Sequence, residues 1–221
     1  MKYEIDDFEV DLKGNKIKCR PWTSKQERSY LSAKNYETGL KSAAKMLIFP
    51  NIEFKPMTIA EFNYLVIQHR KISVGSEVSL SVDCNCGQHL EFEKSVDELT
   101  HYLEPNIDDK KIIVDDVEIK LRKIPSKELL LKVLEVTDED ERIFYELLAS
   151  IEEITYKGET KKTFLFEELE EFFDTLPSSL FRKILSEFFK VKGHIELFCE
   201  VSCPLCQNKF NAIFKDIPSF L

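Results

Sequence analysis

The alternation of apolar and polar residues along this chain predicts a series of β-hairpins. Residues 3–10 and 16–20 alternate in this way around a turn at residues 13–15, which contains Gly14. A second hairpin is predicted over residues 111–122, with the turn at Asp115-Asp116. A period of two indicates strands that bury one face, so both hairpins are expected to pack on a core.

Helix signals follow each hairpin. Ser24 with Glu27, and Thr58 with Glu61, match the capping box, in which each residue satisfies a backbone N–H of the other. Ser126 is predicted to begin a helix after the second hairpin. Three further helices are predicted at residues 138–154, 166–175 and 178–190.

Two cysteine pairs interrupt two more alternating segments. Cys84 and Cys86 lie in a C-N-C-G turn, and Cys203 and Cys206 lie in a C-P-L-C turn. Two tight turns with paired thiolates can form a tetrahedral four-cysteine site, which is typical of closed structural zinc sites. The sequence therefore predicts structural Zn²⁺ at these four cysteines, with iron as the alternative metal. Four ordinary buried cysteines or two disulfides are the other interpretations.

Two further cysteines and two histidines bear on this site. Cys199 and Cys19 lie in alternating segments and are predicted to pack as small hydrophobic side chains. His89 and His194 lie close to the cysteine turns and are alternative ligands.

The order of predicted elements occurs twice along the chain. Residues 17–25 and 119–127 both contain I-K-x-R, then a proline, then Ser-Lys. The predicted fold class is α+β with two related halves, each a β-hairpin plus helices and a zinc-knuckle hairpin, joined at a four-cysteine zinc ribbon. The predicted domains are residues 1–104 and 105–221, or both in one compact unit. Chance similarity between such short segments is the alternative.

Composition narrows the classes of function. The net charge of −9 argues against binding duplex DNA, which requires a basic face. The longest apolar runs are too short to span a membrane, and no secretory signal follows Met1. Six cysteines without such a signal favour a reducing compartment and metal binding over disulfides.

The sequence contains no recognisable catalytic pattern. Its 6 glycines form no phosphate-binding loop, and adjacent carboxylates such as Glu152-Glu153 are interpreted as turns, caps or exposed helix faces. Four thiolates would leave the metal no open coordination position. The chain is therefore predicted not to be an enzyme, and an enzyme with a dispersed site is the alternative.

Phenylalanines are concentrated in residues 164–189, where they alternate with acidic residues. One interpretation is a helical core face opposite a solvated acidic face. The other is that some of these rings are exposed and bind a partner protein. The apolar residues 217–221 are likewise predicted to dock on a neighbouring subunit.

Several short segments together resemble one known family. They are R-P-W-T-S-K at residues 20–25, the stretch from T-I-A-E-F to R-K-I-S-V-G at residues 58–75, L-A-S-I-E-E-I at residues 148–154, and F-F-D-T-L-P at residues 172–177. With the terminal C-P-x-C, they are similar to the baseplate hub and hub-assembly proteins of T4-type, contractile-tailed bacteriophages. The resemblance covers roughly residues 15 to 215 and brings no catalytic residues.

The resemblance implies a structural or assembly component of the phage tail baseplate, in the hub region. Its partners would be other baseplate and tail proteins, with no nucleic acid, membrane or small-molecule substrate. It would be located in the virion tail after assembly in the host cytoplasm. The alternative function is a zinc-ribbon adaptor in transcription or replication. Both a part of the finished particle and a factor that only helps to build it fit the sequence.

Overall fold

The computed structural model of the chain describes residues 6–33 and 39–214. The strands in these residues are β1 (Phe8–Leu12), β2 (Asn15–Cys19), β3 (Glu77–Asp83), β4 (His89–Ser95), β5 (Thr100–Leu103), β6 (Lys111–Val114), β7 (Val117–Leu121), β8 (Ile151–Tyr156), β9 (Glu159–Lys161), β10 (His194–Ser202) and β11 (Lys209–Phe214). The helices are α1 (Ser24–Ala33), α2 (Gly39–Ala43), α3 (Ile59–Ser73), α4 (Val96–Leu99), α5 (Lys127–Glu135), α6 (Glu139–Ala149), α7 (Phe166–Asp174) and α8 (Ser178–Phe189). A π-helical turn (Ala44–Ile48) and a 3-10 turn (Phe49–Asn51) follow α2.

The strands form antiparallel sheets, so the predicted α+β class is confirmed. β1 pairs with β2, and β3 pairs with β4, each in a two-stranded sheet. β10 lies between β5 and β11, and the order of the largest sheet is β6-β7-β8-β9. In the described part of the chain, no helix is long and apolar enough to span a membrane.

Both hairpins expected from the alternating pattern are present. In β1–β2 the inward residues Val10 and Ile17 face each other and are buried. In β6–β7 the same holds for Ile112 and Ile119. Period-two burial follows because successive side chains of a strand point to opposite faces. Residues 3–5 of the first predicted strand lie outside the described residues.

Of the three helix caps predicted at Ser24, Thr58 and Ser126, two agree with the structure and one differs. Thr58 and Glu61 form the predicted capping box, since the Glu61 N–H donates to Thr58 Oγ1 (3.2 Å) and the Thr58 N–H donates to Glu61 Oε2 (2.9 Å). Ser126 caps α5 as predicted. At α1 the reciprocal bonds join Thr23 and Gln26, at 2.8 and 3.3 Å, so the prediction of Ser24 as the cap was wrong by one residue. Thr23-Ser24-Lys25-Gln26 itself matches the capping-box pattern, which explains the shift.

The helix predicted over residues 138–154 is wrong in its second part. α6 ends at Ala149, and Ile151–Tyr156 forms β8, which pairs with β7. The Arg122 N–H donates to the Ser150 carbonyl oxygen at 2.8 Å, where the chain leaves the helix. Backbone pairing with β7 therefore replaces a continuation of the helix in β8, and the β-branched residues Ile151 and Ile154 favour a strand.

Buried side chains form two large clusters and two smaller ones. One cluster packs β1–β2, α1 and α3 against α5, including Ile124 and Leu130 from beyond residue 105. Another packs β6–β8 against α6, α7 and α8. The division into domains at residues 104 and 105 stays a prediction. At this point the chain is tightly packed, because the Asn106 N–H donates to the Val191 carbonyl oxygen and a Cβ on Gly193 would lie 2.6 Å from the Pro105 nitrogen.

Most of the phenylalanines of residues 164–189 belong to the second large cluster. Phe173 and Phe188 are buried, and Phe144 lies edge-on to Phe173 and Phe181. Phe189 is exposed. The core interpretation therefore describes most of these rings, and Phe189 is available to a partner. Residues 217–221, predicted to dock on a neighbour, lie outside the described residues.

Candidate metal centre

The turns of two hairpins bring the four predicted cysteines together. Cys84 and Cys86 lie between β3 and β4, and Cys203 and Cys206 lie between β10 and β11. All four sulfur atoms lie within 4.8 Å of one another. The juxtaposition expected from the spacing of the cysteines is present, and it joins residues more than a hundred positions apart.

Two close sulfur contacts cross between the hairpins. Cys84 Sγ lies 3.6 Å from Cys206 Sγ, and Cys86 Sγ lies 3.7 Å from Cys203 Sγ. A tetrahedral ion with Zn–S bonds of about 2.3 Å would have S···S edges of about 3.8 Å. A disulfide would need about 2.0 Å. The distances therefore fit sulfur ligands around one shared metal ion. They are too long for disulfides, and the four cysteines are free thiols.

Each cysteine turn closes with similar backbone bonds. The Cys84 N–H donates to the Gln88 carbonyl oxygen, and the Cys203 N–H donates to the Asn208 carbonyl oxygen, both at 2.9 Å. The residue after the second cysteine has positive φ in both turns, +86° at Gly87 and 60° at Gln207. In both turns, the left-handed residue reverses the direction of the chain after the second cysteine.

Electrostatics within the cluster favour a cation. Backbone N–H groups of Cys206 and Leu205 lower the pKa of the Cys203 thiol to about 7, against the effect of burial. The Cys86 backbone N–H also lowers the pKa of Cys84, but burial and the neighbouring sulfur atoms outweigh it and raise that pKa to about 12. Several thiolates this close repel one another, so full deprotonation requires a positive ion between them.

One side of the cluster is covered and the other faces solvent. Cys84 and Cys203 are buried, whereas Cys86 and Cys206 are exposed. Leu90 is buried with the two inner cysteines, and Phe210 packs against them. Sequence reasoning missed these apolar neighbours, although both lie within a few residues of a ligand in the flanking strands.

A further core cluster packs the two hairpins against each other outside their turns. Val78 of β3 packs with Leu197 and Ala212 of β10–β11 and with Ile67 of α3. Cys199 is 8% exposed and belongs to this cluster, which confirms that it packs as a small hydrophobic residue.

The remaining candidate ligands lie elsewhere. Cys19 is 1% exposed within the first large core cluster, as predicted. His89 Nδ1 lies 2.7 Å from Asp83 Oδ1, and this hydrogen bond raises the pKa of the imidazole. His194 lies beside Glu196, at 3.4 Å. Neither histidine joins the cysteine cluster of the described residues.

Four thiolates in this arrangement would enclose an ion and leave no position for a substrate. Such a centre would tie distant chain segments together. The family described as T4 bacteriophage base plate protein matches residues 3–221. The chain therefore belongs to the T4 bacteriophage base plate protein family. No curated protein and no solved structure was found to match it.

Membership confirms the resemblance seen in the short sequence segments. The family is a structural phage family, and it places the chain among the baseplate proteins of the phage tail. Its members function together with other tail proteins.

Proposed function

We propose that this chain is a structural or assembly component of the hub region of the baseplate, acting through protein contacts and stabilised by one zinc ion. The ligands would be Cys84, Cys86, Cys203 and Cys206. The observation that carries the metal assignment is the pair of crossed sulfur contacts at 3.6 and 3.7 Å. The position in the hub rests on the similarity of the short segments around residues 20–25 and 172–177 to hub proteins.

Zinc suits a structural role here. It has no redox chemistry, and four thiolates satisfy its tetrahedral preference. Since a preformed site rarely exists in an unfolded chain, metal binding adds directly to folding stability. The ion would hold the β3–β4 turn against the β10–β11 turn.

We further propose that the chain has no catalytic activity and no nucleic-acid, membrane or small-molecule partner. The closed ligand set and the net charge of −9 support this view. An adaptor in transcription or replication would instead bind DNA with an affinity that falls steeply with salt. Titration of the purified chain into labelled duplex at two salt concentrations separates the two functions.

Elemental analysis of the purified full chain tests the metal. We expect about one zinc per chain and a colourless protein. Iron would give a coloured thiolate complex and would replace zinc in the assignment. A protein without metal, or with these cysteines joined as disulfides, would refute the site.

A pair of serine variants gives the matched control. Cys203→Ser removes one ligand, so it should release the metal and lower the melting temperature strongly. Cys19→Ser changes an equally buried thiol outside the cluster and should keep the metal. Retention of the metal by Cys203→Ser, as by Cys19→Ser, would show that the metal does not depend on the cluster.

Cryo-electron microscopy of purified tails and of tail intermediates tests the location. We expect density for this chain near the baseplate hub in at least one of these particles. Density only in intermediates indicates an assembly factor, and density in mature tails indicates a permanent component. Absence of the chain from every tail particle would overturn the proposed function.

A further inference from the structure

A cleft of about 690 Å³ lies between α3, α6 and the β10–β11 hairpin. The cleft lies at the end of the hairpin where Leu197 pairs with Phe214. The cysteine turn lies at the other end, after the Ser202–Lys209 pair. The cleft is therefore separate from the candidate metal centre, although β10 and β11 contribute to both.

Large apolar side chains surround this cleft and are exposed. Phe189 is 51% exposed, Phe198 36% and Ile213 67%. Phe198 and Ile213 are directly opposite each other on β10 and β11. Exposed apolar residues scattered singly are ordinary, but several around one concavity indicate a contact surface.

The floor of the cleft contains a buried carboxylate. Glu146 is 3% exposed, and its Oε2 accepts a hydrogen bond from Lys192 Nζ at 3.3 Å. Within the described residues, Glu146 Oε1 and the Oδ1 atom of Asn63, which also lines the cleft, have no hydrogen-bond partner. Both atoms are acceptors, and buried acceptors are normally satisfied by a donor.

The charges around the cleft favour a basic donor. Glu139, Glu146 and Glu196 line it, against Arg142 and Lys192. The whole chain carries a net charge of −9, which disfavours association with a second copy of itself. A lysine or arginine side chain would supply donors to both acceptors, while apolar neighbours cover the exposed rim.

We propose that this cleft receives a lysine or arginine side chain carried on an apolar segment of another phage tail protein. The proposal rests on the proposed function, because it takes the partner from the baseplate. It adds the surface of this chain and the chemistry of the partner segment. A second copy of this chain, and its own residues 215–221, are the alternative occupants that the test distinguishes.

Photo-crosslinking of the full chain in phage-infected cells tests the surface. p-Benzoylphenylalanine replaces Phe198 in one strain and the exposed Ile113 of β6 in a control strain. Mass spectrometry of the adducts should identify, for position 198 alone, a tail-protein peptide with lysine or arginine beside apolar residues. Adducts to a second copy, to residues 215–221, or to no protein would overturn the proposal.

The crosslinked segment is then synthesised, together with a form in which its lysine or arginine is methionine. Calorimetric titration into the full chain should show at least a tenfold weaker binding of the methionine peptide, because the buried acceptors lose their cationic donor. Equal affinities would refute the role assigned to Glu146 and Asn63.

A matched pair of isoleucines tests the contribution of the rim. Ile213→Ser and Ile113→Ser change strand residues that are 67% and 65% exposed. We expect Ile213→Ser to reduce binding of the same peptide at least fivefold and Ile113→Ser to leave it unchanged, with equal melting temperatures. Loss of binding in both variants, or in neither, would contradict the rim contact.

These results separate the cleft from the general function. If tail proteins crosslink to other surfaces and never at position 198, the cleft proposal fails and the baseplate function stands. If the chain occurs in no tail or tail intermediate, the function itself fails.

Discussion

The two cysteine hairpins are alike at their turns and differ in what supports their strands. In each, the first cysteine is buried, the second is exposed, and the next residue is left-handed. Among the described strands, β3 and β4 pair only with each other, whereas β10 pairs with β11 on one side and with β5 on the other. The same ligand geometry is therefore built on one weakly supported and one well supported hairpin.

The difference indicates which hairpin depends more on the metal. A two-stranded hairpin alone is marginally stable in water. β3–β4 is held by packing through Val78 and Leu90, and the proposed metal would add a further link. β10 is also paired with β5, and we expect that pairing to persist when the metal is removed.

The largest expected effect comes from removal of the metal. Zinc binding contributes on the order of 10 kcal/mol in isolated zinc fingers, so a chelator should destabilise this chain by several kcal/mol. Hydrogen exchange should rise most in residues 77–95 and much less in residues 194–202. β6–β7, in the four-stranded sheet, is the internal control. An equal increase in both cysteine hairpins would contradict the comparison.

The next largest effect concerns acid and is expected at His69, beside the first large core cluster and apart from the metal centre. His69 of α3 is fully buried between the rings of Phe8 and Trp22, and burial lowers its pKa from 6.5 to about 4, while the nearby backbone of Arg20 opposes this shift. Between about pH 6.5 and pH 4, His69 therefore binds a proton in the unfolded chain but not in the folded chain. Stability is complete above pH 6.5 and falls as the pH drops towards 4, by about 3 kcal/mol.

The variant His69→Phe lacks this contribution. Its free energy of unfolding should lose about 3 kcal/mol less than that of the wild type between pH 7 and pH 4. Acid also protonates the thiolates, so metal content is recorded for both proteins and should fall equally. Identical pH dependence of unfolding in the two proteins would refute the role of His69.

A smaller effect is expected at the first cysteine turn. Gly87 has φ +86°, and an added Cβ would meet no atom within 4 Å, so Gly87→Ala tests backbone strain alone. We expect a loss of about 1–2 kcal/mol and weaker metal binding. Gly14→Ala, at φ +84° in the β1–β2 turn, is the matched control. It should lose similar stability with no change in metal affinity, and a change in that affinity would contradict the assignment.

The smallest effect is expected at the second turn, where Gln207 has φ 60° without being glycine. Gln207→Gly removes the strain of the left-handed backbone, but glycine also increases the conformational entropy of the unfolded chain. The net gain in the free energy of unfolding should therefore be below about 1 kcal/mol. Competition with a chelator should show slightly tighter metal binding. Lys157→Gly relieves similar strain at φ 50° in the β8–β9 turn and should not affect the metal. Weaker metal binding in Gln207→Gly would show that Gln207 supports the site in another way.

Local pattern was sufficient to predict several features of this protein. The alternation around Gly14 and Asp115-Asp116 predicted both early hairpins, because a strand with one buried face must alternate. Thr58 and Glu61 predicted the start of α3, since a capping box needs only four consecutive residues. The spacing of the cysteines identified the candidate metal ligands.

Competition between distant segments decided what local pattern could not. Residues 151–154 continue a helical pattern but pair with β7, a partner about thirty positions earlier in the chain. The local sequence around residues 164–189 does not show which phenylalanines are exposed. Phe173 and Phe188 are buried in the second large cluster, whereas Phe189, adjacent to Phe188, lines the cleft.

The sequence by itself determined the hairpins, most helix starts and the set of cysteines, because these depend on a few adjacent residues. Only the tertiary structure placed Cys84 beside Cys206 and enclosed Glu146 in a cleft beneath Phe198 and Ile213. Both arrangements join segments far apart in the chain, and their geometry follows from how α3, α6 and the two cysteine hairpins pack.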